Sequence, residues 1–120
     1  MHISLHAIAV MLPLLIPSVA FAHPQLRQAD PPVGAVVHSP PAQVELIFSE
    51  AIEPRFSTIA VTDAAGAPVD RHDMRVAPGD AKRLAVGLGA LPPGVYTVVW
   101  HATSVDTHKT EGTFSFTFMP

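Results

Sequence analysis

The stretch Thr113-Phe114-Ser115-Phe116-Thr117-Phe118, near the end of the chain, decides the fold class. Three phenylalanines alternate with three hydroxyl side chains, and successive side chains of a β-strand point to opposite faces. The run therefore predicts a strand with one buried aromatic face and one polar face. The same alternation recurs in four earlier runs, at residues 44–49, 58–62, 83–88 and 94–100.

Proline and glycine separate these runs, and residues 23–120 contain no long apolar pattern at helical spacing. Short strands between turns are typical of a β-sandwich, so we expect one all-β, immunoglobulin-like domain of about seven strands with Greek-key connections. The segment from Leu91 to Tyr96 resembles the corner of such domains, where a tyrosine hydroxyl bonds back to the chain. Tyr96, Trp100 and the phenylalanine face are expected in the core.

The first 22 residues differ from the rest, because they contain no Asp, Glu, Lys or Arg. An apolar run interrupted by Pro13 and Pro17 ends at the small-x-small sequence Ala20-Phe21-Ala22. That pattern is typical of a secretory signal peptide, although the usual positive start is missing. We expect cleavage after Ala22, leaving a domain of residues 23–120; the alternatives are an uncleaved anchor or a buried N-terminal helix.

Composition excludes several classes of function. The formal net charge is −3, and there is no basic block that could neutralise phosphates, so a nucleic-acid partner is not expected. The sequence has no cysteine, which excludes disulfides, thiolate ligands and a thiolate nucleophile. A small exported domain without disulfides must rest on its hydrophobic core. After cleavage, no stable insertion into a membrane is expected.

His23 follows the expected cleavage site directly. As the first residue it would offer a free α-amine and an imidazole, which can close a small chelate ring on one metal. The α-amine has an ordinary pKa near ~8, so a metal can displace its proton at neutral pH. Pro24 has no backbone N–H and cannot supply a further amide ligand. The other ligands must therefore come from elsewhere in the fold.

Asp106 and His108 are candidates for those ligands. They are two residues apart, and in an extended segment their side chains would point the same way. With His23 they would supply three nitrogens and one oxygen, and a tetragonal N,O set favours Cu(II). The alternative is that Asp106 caps a turn and His108 is a solvated loop residue.

Motifs along the whole of 23–120 resemble the CopC family of periplasmic copper-binding proteins. The motifs are His23-Pro24-x-Leu26, Leu46-Ile47-Phe48-Ser49-Glu50, Gly94-x-Tyr96-x-Val98-x-Trp100, Ser104-x-Asp106-x-His108 and Gly112-x-Phe114-x-Phe116. The resemblance implies an immunoglobulin-like sandwich that binds one Cu(II) per chain through His23, Asp106 and His108.

The resemblance also implies roles around that site. Glu50 would lie near the copper and orient a ligand or a water, unless it is a solvated carboxylate at a strand end. The protein would be a non-enzymatic periplasmic copper carrier for copper resistance or uptake. Its partner would be an inner-membrane copper transporter of the CopD type.

One departure from the family concerns Cu(I). Some members carry a methionine-rich loop with a histidine that binds Cu(I), whereas residues 64–80 here contain only His72 and Met74. Because Cu(I) prefers several thioether ligands, we expect no dedicated Cu(I) site and ordinary loop roles for both residues. His38 and His101 match no family ligand, and His101 is expected to be partly exposed and structural.

Two other functions stay open on the sequence alone. A copper monooxygenase also uses an N-terminal histidine on a β-sandwich, but it needs an open copper face and exposed aromatic side chains. A non-metal immunoglobulin-like adhesion or assembly module would bind copper weakly and without regard to the N-terminus.

Overall fold

The computed structural model describes residues 23–120, which form two four-stranded β-sheets packed face to face. The expected signal peptide, residues 1–22, lies outside the described residues. The strands are β1 (Leu26–Asp30), β2 (Val36–Val37), β3 (Gln43–Phe48), β4 (Thr58–Thr62), β5 (Arg75–Ala77), β6 (Asp80–Gly87), β7 (Gly94–Thr103) and β8 (Lys109–Phe118). A single 3-10 turn spans Pro54–Phe56. Nothing in this part of the chain is a helix long and apolar enough to cross a bilayer.

One sheet has the strand order β1-β3-β6-β5, and the other has the order β2-β8-β7-β4. All pairs are antiparallel except β2 with β8, which is parallel. The prediction of an all-β, immunoglobulin-like sandwich is confirmed, with eight strands rather than seven. The five runs expected from the alternation pattern correspond to β3, β4, β6, β7 and β8.

The strands that the pattern missed are β1, β2 and β5, and all three lie at sheet edges. They are five, two and three residues long. An edge strand pairs on one side only and can be very short. Such strands leave little alternation in the sequence.

The core lies between the sheets and contains the aromatic residues that the sequence predicted. Tyr96 stacks on Phe116 with ring centroids 5.4 Å apart, and Trp100 meets Phe48 edge-on at 5.1 Å. Tyr96 is 1% exposed and Trp100 is 7% exposed. Gly112 faces Trp100 across the β7–β8 pair, and its missing side chain leaves room for the indole ring.

The corner before β7 also forms as expected. The Tyr96 hydroxyl donates a hydrogen bond to the carbonyl oxygen of Pro92. Burial raises the pKa of Tyr96 above its ordinary value, and the negative charge of Asp63 raises it further. The neutral phenol is therefore the form that the folded domain favours.

Candidate metal centre

The start of the domain is fixed to both sheets. Pro24 is fully buried, and its carbonyl oxygen accepts a hydrogen bond of 2.7 Å from the Thr110 hydroxyl in β8. Gln25 exchanges two bonds with Ser49, just after β3: its N–H donates to Ser49 Oγ, and its carbonyl accepts from Ser49 N–H, both at 2.8 Å. The backbone on either side of Pro24 thus has a defined position, and it determines where His23 lies.

The other predicted ligands lie in the loop that joins β7 to β8. Ser104 N–H donates to the carbonyl of His108 at 2.8 Å, and Thr107 N–H donates to the carbonyl of Ser104 at 2.9 Å. Thr107 has a φ of +71°, in the left-handed region. A three-residue hairpin loop commonly ends on a residue in that conformation. The segment is therefore a tight turn rather than an extended strand. The expectation that the Asp106 and His108 side chains point the same way assumed an extended segment, and the structure does not show one.

The structure brings together His23 and His108, which are far apart in the chain. Their ring centroids are 5.3 Å apart, and the ring planes meet at 71°. An ion about 2.0 Å from one nitrogen of each ring would hold the centroids roughly 4.5 Å apart at a right angle and roughly 6.3 Å apart in line. The observed separation lies between these values and therefore matches the spacing of two imidazole rings bound to one ion.

Asp106 lies in the exposed part of the same turn. Within residues 23–120, no group of three or more His, Asp or Glu side chains is close enough to hold a metal ion. The structure therefore assembles two of the three predicted ligands, and the role of Asp106 stays a prediction.

Glu50 lies beside this turn, directly after Ser49. The carbonyl of the next residue, Ala51, accepts a hydrogen bond of 3.1 Å from Val105 N–H. Glu50 Oε2 is buried, and no donor among residues 23–120 reaches it. A buried carboxylate oxygen without a partner is costly, and a nearby cation or bound water would offset that cost. The burial argues against a freely solvated carboxylate and is consistent with the outer-shell role, which stays a prediction.

The remaining histidines of the domain have other partners. His101 is exposed, in agreement with the predicted partial exposure, and lies 3.0 Å from the Glu111 carboxylate. His38 Nδ1 lies 2.7 Å from the carbonyl oxygen of Met119. His72 Nδ1 lies 3.2 Å from the buried carboxylate of Asp70.

Met74 packs against the core. Met74 and His72 both line an open groove of about 480 Å³. Among the described residues, this region brings no second methionine to that groove. The expectation of no dedicated Cu(I) site stays a prediction.

Sequence reasoning missed Ser49 and Thr110, whose hydroxyls hold the start of the domain. In the sequence, Ser49 belongs to the strand motif Leu46-Ile47-Phe48-Ser49-Glu50, and Thr110 belongs to no motif. The bond from Thr110 to Pro24 spans 86 positions of the chain. No local pattern signals such a bond, because it depends on how the two sheets pack.

Comparison with known proteins places the chain in a family. A model of the CopC domain matches residues 26–119. The crystal structure of CopC from Methylosinus trichosporium OB3b aligns with a TM-score of 0.76 at 30% identity, covering 82% of this chain and 95% of that one. PcoC from Escherichia coli, described as a methionine-rich copper resistance protein, aligns with a TM-score of 0.69 at 34% identity, covering 82% and 100%.

A further relative is much longer than this chain. The copper transport protein CutJ of Bacillus subtilis is 31% identical over 110 residues, which are 91% of this chain and 20% of CutJ. The match to the family model extends over most of residues 23–120, and the aligned crystal structures share the two-sheet fold. The chain therefore belongs to the CopC family.

Proposed function

We propose that this protein is a periplasmic carrier that binds one Cu(II) ion and serves copper resistance or copper uptake. The observation that carries the proposal is the contact between His23, the residue after the expected cleavage site, and His108, at 5.3 Å between ring centroids. Cleavage after Ala22 would add the α-amine of His23 to these two imidazoles. Asp106 would supply the fourth ligand, an oxygen.

The donor chemistry favours copper over other divalent ions. Three nitrogens and one oxygen suit the tetragonal geometry of Cu(II), which also binds most tightly in the divalent series. Asp106 is exposed, so its carboxylate would have to turn from solvent toward the two rings. Glu50 would balance the charge of the ion or hold a water beside it.

A non-enzymatic role fits the surface around the site. Tyr96 and Trp100 are buried, so Phe56 is the exposed large aromatic side chain among residues 23–120. A monooxygenase acting on a polymer would need a broader aromatic surface than one ring. Relatives named copper resistance and copper transport proteins support a carrier.

The partner we propose is a membrane copper transporter of the CopD type. The chain corresponds to one fifth of CutJ, so in that relative the domain is covalently joined to a much larger remainder. In the present protein, we propose that the carrier and the transporter are separate chains, and that the carrier delivers copper to the transporter or receives it from the transporter.

The test compares protein processed from its natural precursor with a form that carries one extra residue before His23. Each is titrated with Cu(II) and followed by electron paramagnetic resonance, with the N-terminus confirmed by mass. We expect one tightly bound equivalent with nitrogen ligands in the processed form and far weaker binding in the extended form. The His108→Ala variant should also lose Cu(II) binding. The matched control is His38→Ala, which should bind Cu(II) normally because His38 lies against Met119. Equal binding by both N-terminal forms would contradict the proposal and favour an adhesion module.

A further inference from the structure

We propose that Ser49 and Thr110 are positioning residues that hold the first residues of the domain so that His23 faces His108. The inference rests on the proposed function, because it concerns how the same site is built. It assigns a role in metal binding to two hydroxyl side chains that would not touch the metal.

The contacts form a clamp around Pro24, which consists of Ser49 on one side and Thr110 on the other. Ser49 follows β3, in the first sheet, whereas Thr110 belongs to β8, in the second sheet. Their hydrogen bonds to Gln25 and Pro24 are 2.8 and 2.7 Å long. The side chain of Pro24, between the two attached backbone groups in the chain, is itself fully buried. The backbone to which His23 is attached therefore has a fixed position.

Metal chelation by the amine and imidazole of a first residue depends strongly on the position of its backbone. The amine and the imidazole belong to one residue, so the position of His23 determines two of the ligands together. Fixing a backbone residue costs conformational entropy, and a clamp that exists before binding removes that cost from the binding step. Thr110, at the start of β8, is also only two residues from His108, at the end of the preceding loop, so this short segment carries both a ligand and part of the clamp.

The rest of the fold does not depend on these hydroxyls. β1 stays attached through its main-chain pairing with β3, from Leu26 to Asp30. β8 stays paired with β7 over ten residue pairs. Removing one hydroxyl should therefore loosen residues 23–25 while the sandwich stays folded.

The decisive variant is Thr110→Val, which keeps the shape and the strand propensity but cannot donate to the Pro24 carbonyl. Thr113→Val is the matched control, because Thr113 is exposed on the same strand. Thr110→Ser restores a hydroxyl. Each processed protein is measured for its Cu(II) affinity by competition titration, its thermal midpoint, and, without metal, the nuclear Overhauser effect between the rings of His23 and His108.

We expect Thr110→Val to weaken Cu(II) binding roughly three- to tenfold, which corresponds to the loss of one neutral hydrogen bond. Its ring-to-ring Overhauser effect should fade, while its thermal midpoint falls by no more than the roughly 5 °C that the loss of one neutral hydrogen bond would cause. Thr110→Ser and Thr113→Val should behave like the native protein. Ser49→Ala gives an independent test, because it removes only the acceptor of the Gln25 N–H.

Native affinity and a native Overhauser effect in both Thr110→Val and Ser49→Ala would overturn the inference. The proposed function would survive that result if the native protein still bound copper through His23. Conversely, a native protein that bound no copper would remove the proposed function. The metal-free Overhauser effect would then still show whether the clamp positions His23.

Discussion

Replacing Gly112 by alanine should destabilise the domain by about 1–2 kcal/mol, because Trp100 occupies the space that a side chain would need. A Cβ atom on Gly112 would lie 2.5, 2.6 and 2.8 Å from three atoms of the indole ring. Ordinary carbon contacts begin at about 3.5 Å, so the ring would have to move by roughly 1 Å. The edge-on contact with Phe48, at 5.1 Å between centroids, opposes that movement.

The magnitude follows from two opposing terms. Overpacking of a well-packed core typically costs about 1–3 kcal/mol. Alanine is favoured over glycine by roughly 0.5–1 kcal/mol within a strand, which offsets part of that cost. For a domain of about 100 residues, 1 kcal/mol lowers the thermal midpoint by roughly 5 °C, so the midpoint should fall by about 5–10 °C.

Urea denaturation followed by fluorescence is the direct assay, because Trp100 is the only tryptophan in the sequence. The emission of the folded variant should also change, since the ring is displaced. Gly89→Ala is the control: a Cβ there would meet only the carbonyl oxygen of Val69, at an ordinary 3.6 Å. If Gly112→Ala were as stable as Gly89→Ala and its emission were unchanged, the proposed packing of Trp100 would be wrong.

Three other outcomes can be measured on the same protein. Because burial raises the pKa of Tyr96, the only tyrosine, its tyrosinate absorbance should rise at a pH above the ordinary value near ~10. Its contribution to stability is complete below about pH 10 and declines as the pH rises through the folded-state pKa. Urea midpoints across that range should show the decline, and Tyr96→Phe should abolish it at a cost of about 1 kcal/mol for the lost bond to Pro92. Asp70→Ala should lower the free energy of unfolding in urea by about 1–3 kcal/mol, since its buried carboxylate accepts from Val61 N–H at 2.9 Å; an unchanged midpoint would show that this bond contributes nothing. Cu(II) at about 100 times its Kd should stabilise the processed protein by about 2.7 kcal/mol in calorimetry, and His108→Ala should remove most of that gain; a midpoint indifferent to copper would contradict binding to the folded state.

The fold class could be predicted from sequence because side-chain alternation is a local property of each strand. The three phenylalanines of β8 and the tyrosine corner required no knowledge of distant residues. The same local reasoning failed for β1, β2 and β5, since short edge strands carry little pattern. It also failed for the turn at Thr107, whose left-handed backbone a threonine rarely adopts.

The sequence by itself determined the all-β domain, its aromatic core, and the residue types that could bind a metal. The small-x-small sequence before His23 also made this residue a candidate for an N-terminal metal ligand. Only the tertiary structure decided that His23 lies against His108, that Glu50 has a buried oxygen, and that Thr110 holds Pro24. The contacts of His23 and Pro24 join distant positions of the chain, and their geometry depends on the register and packing of two whole sheets. No local sequence pattern can specify that register, because many core contacts between distant residues determine it together.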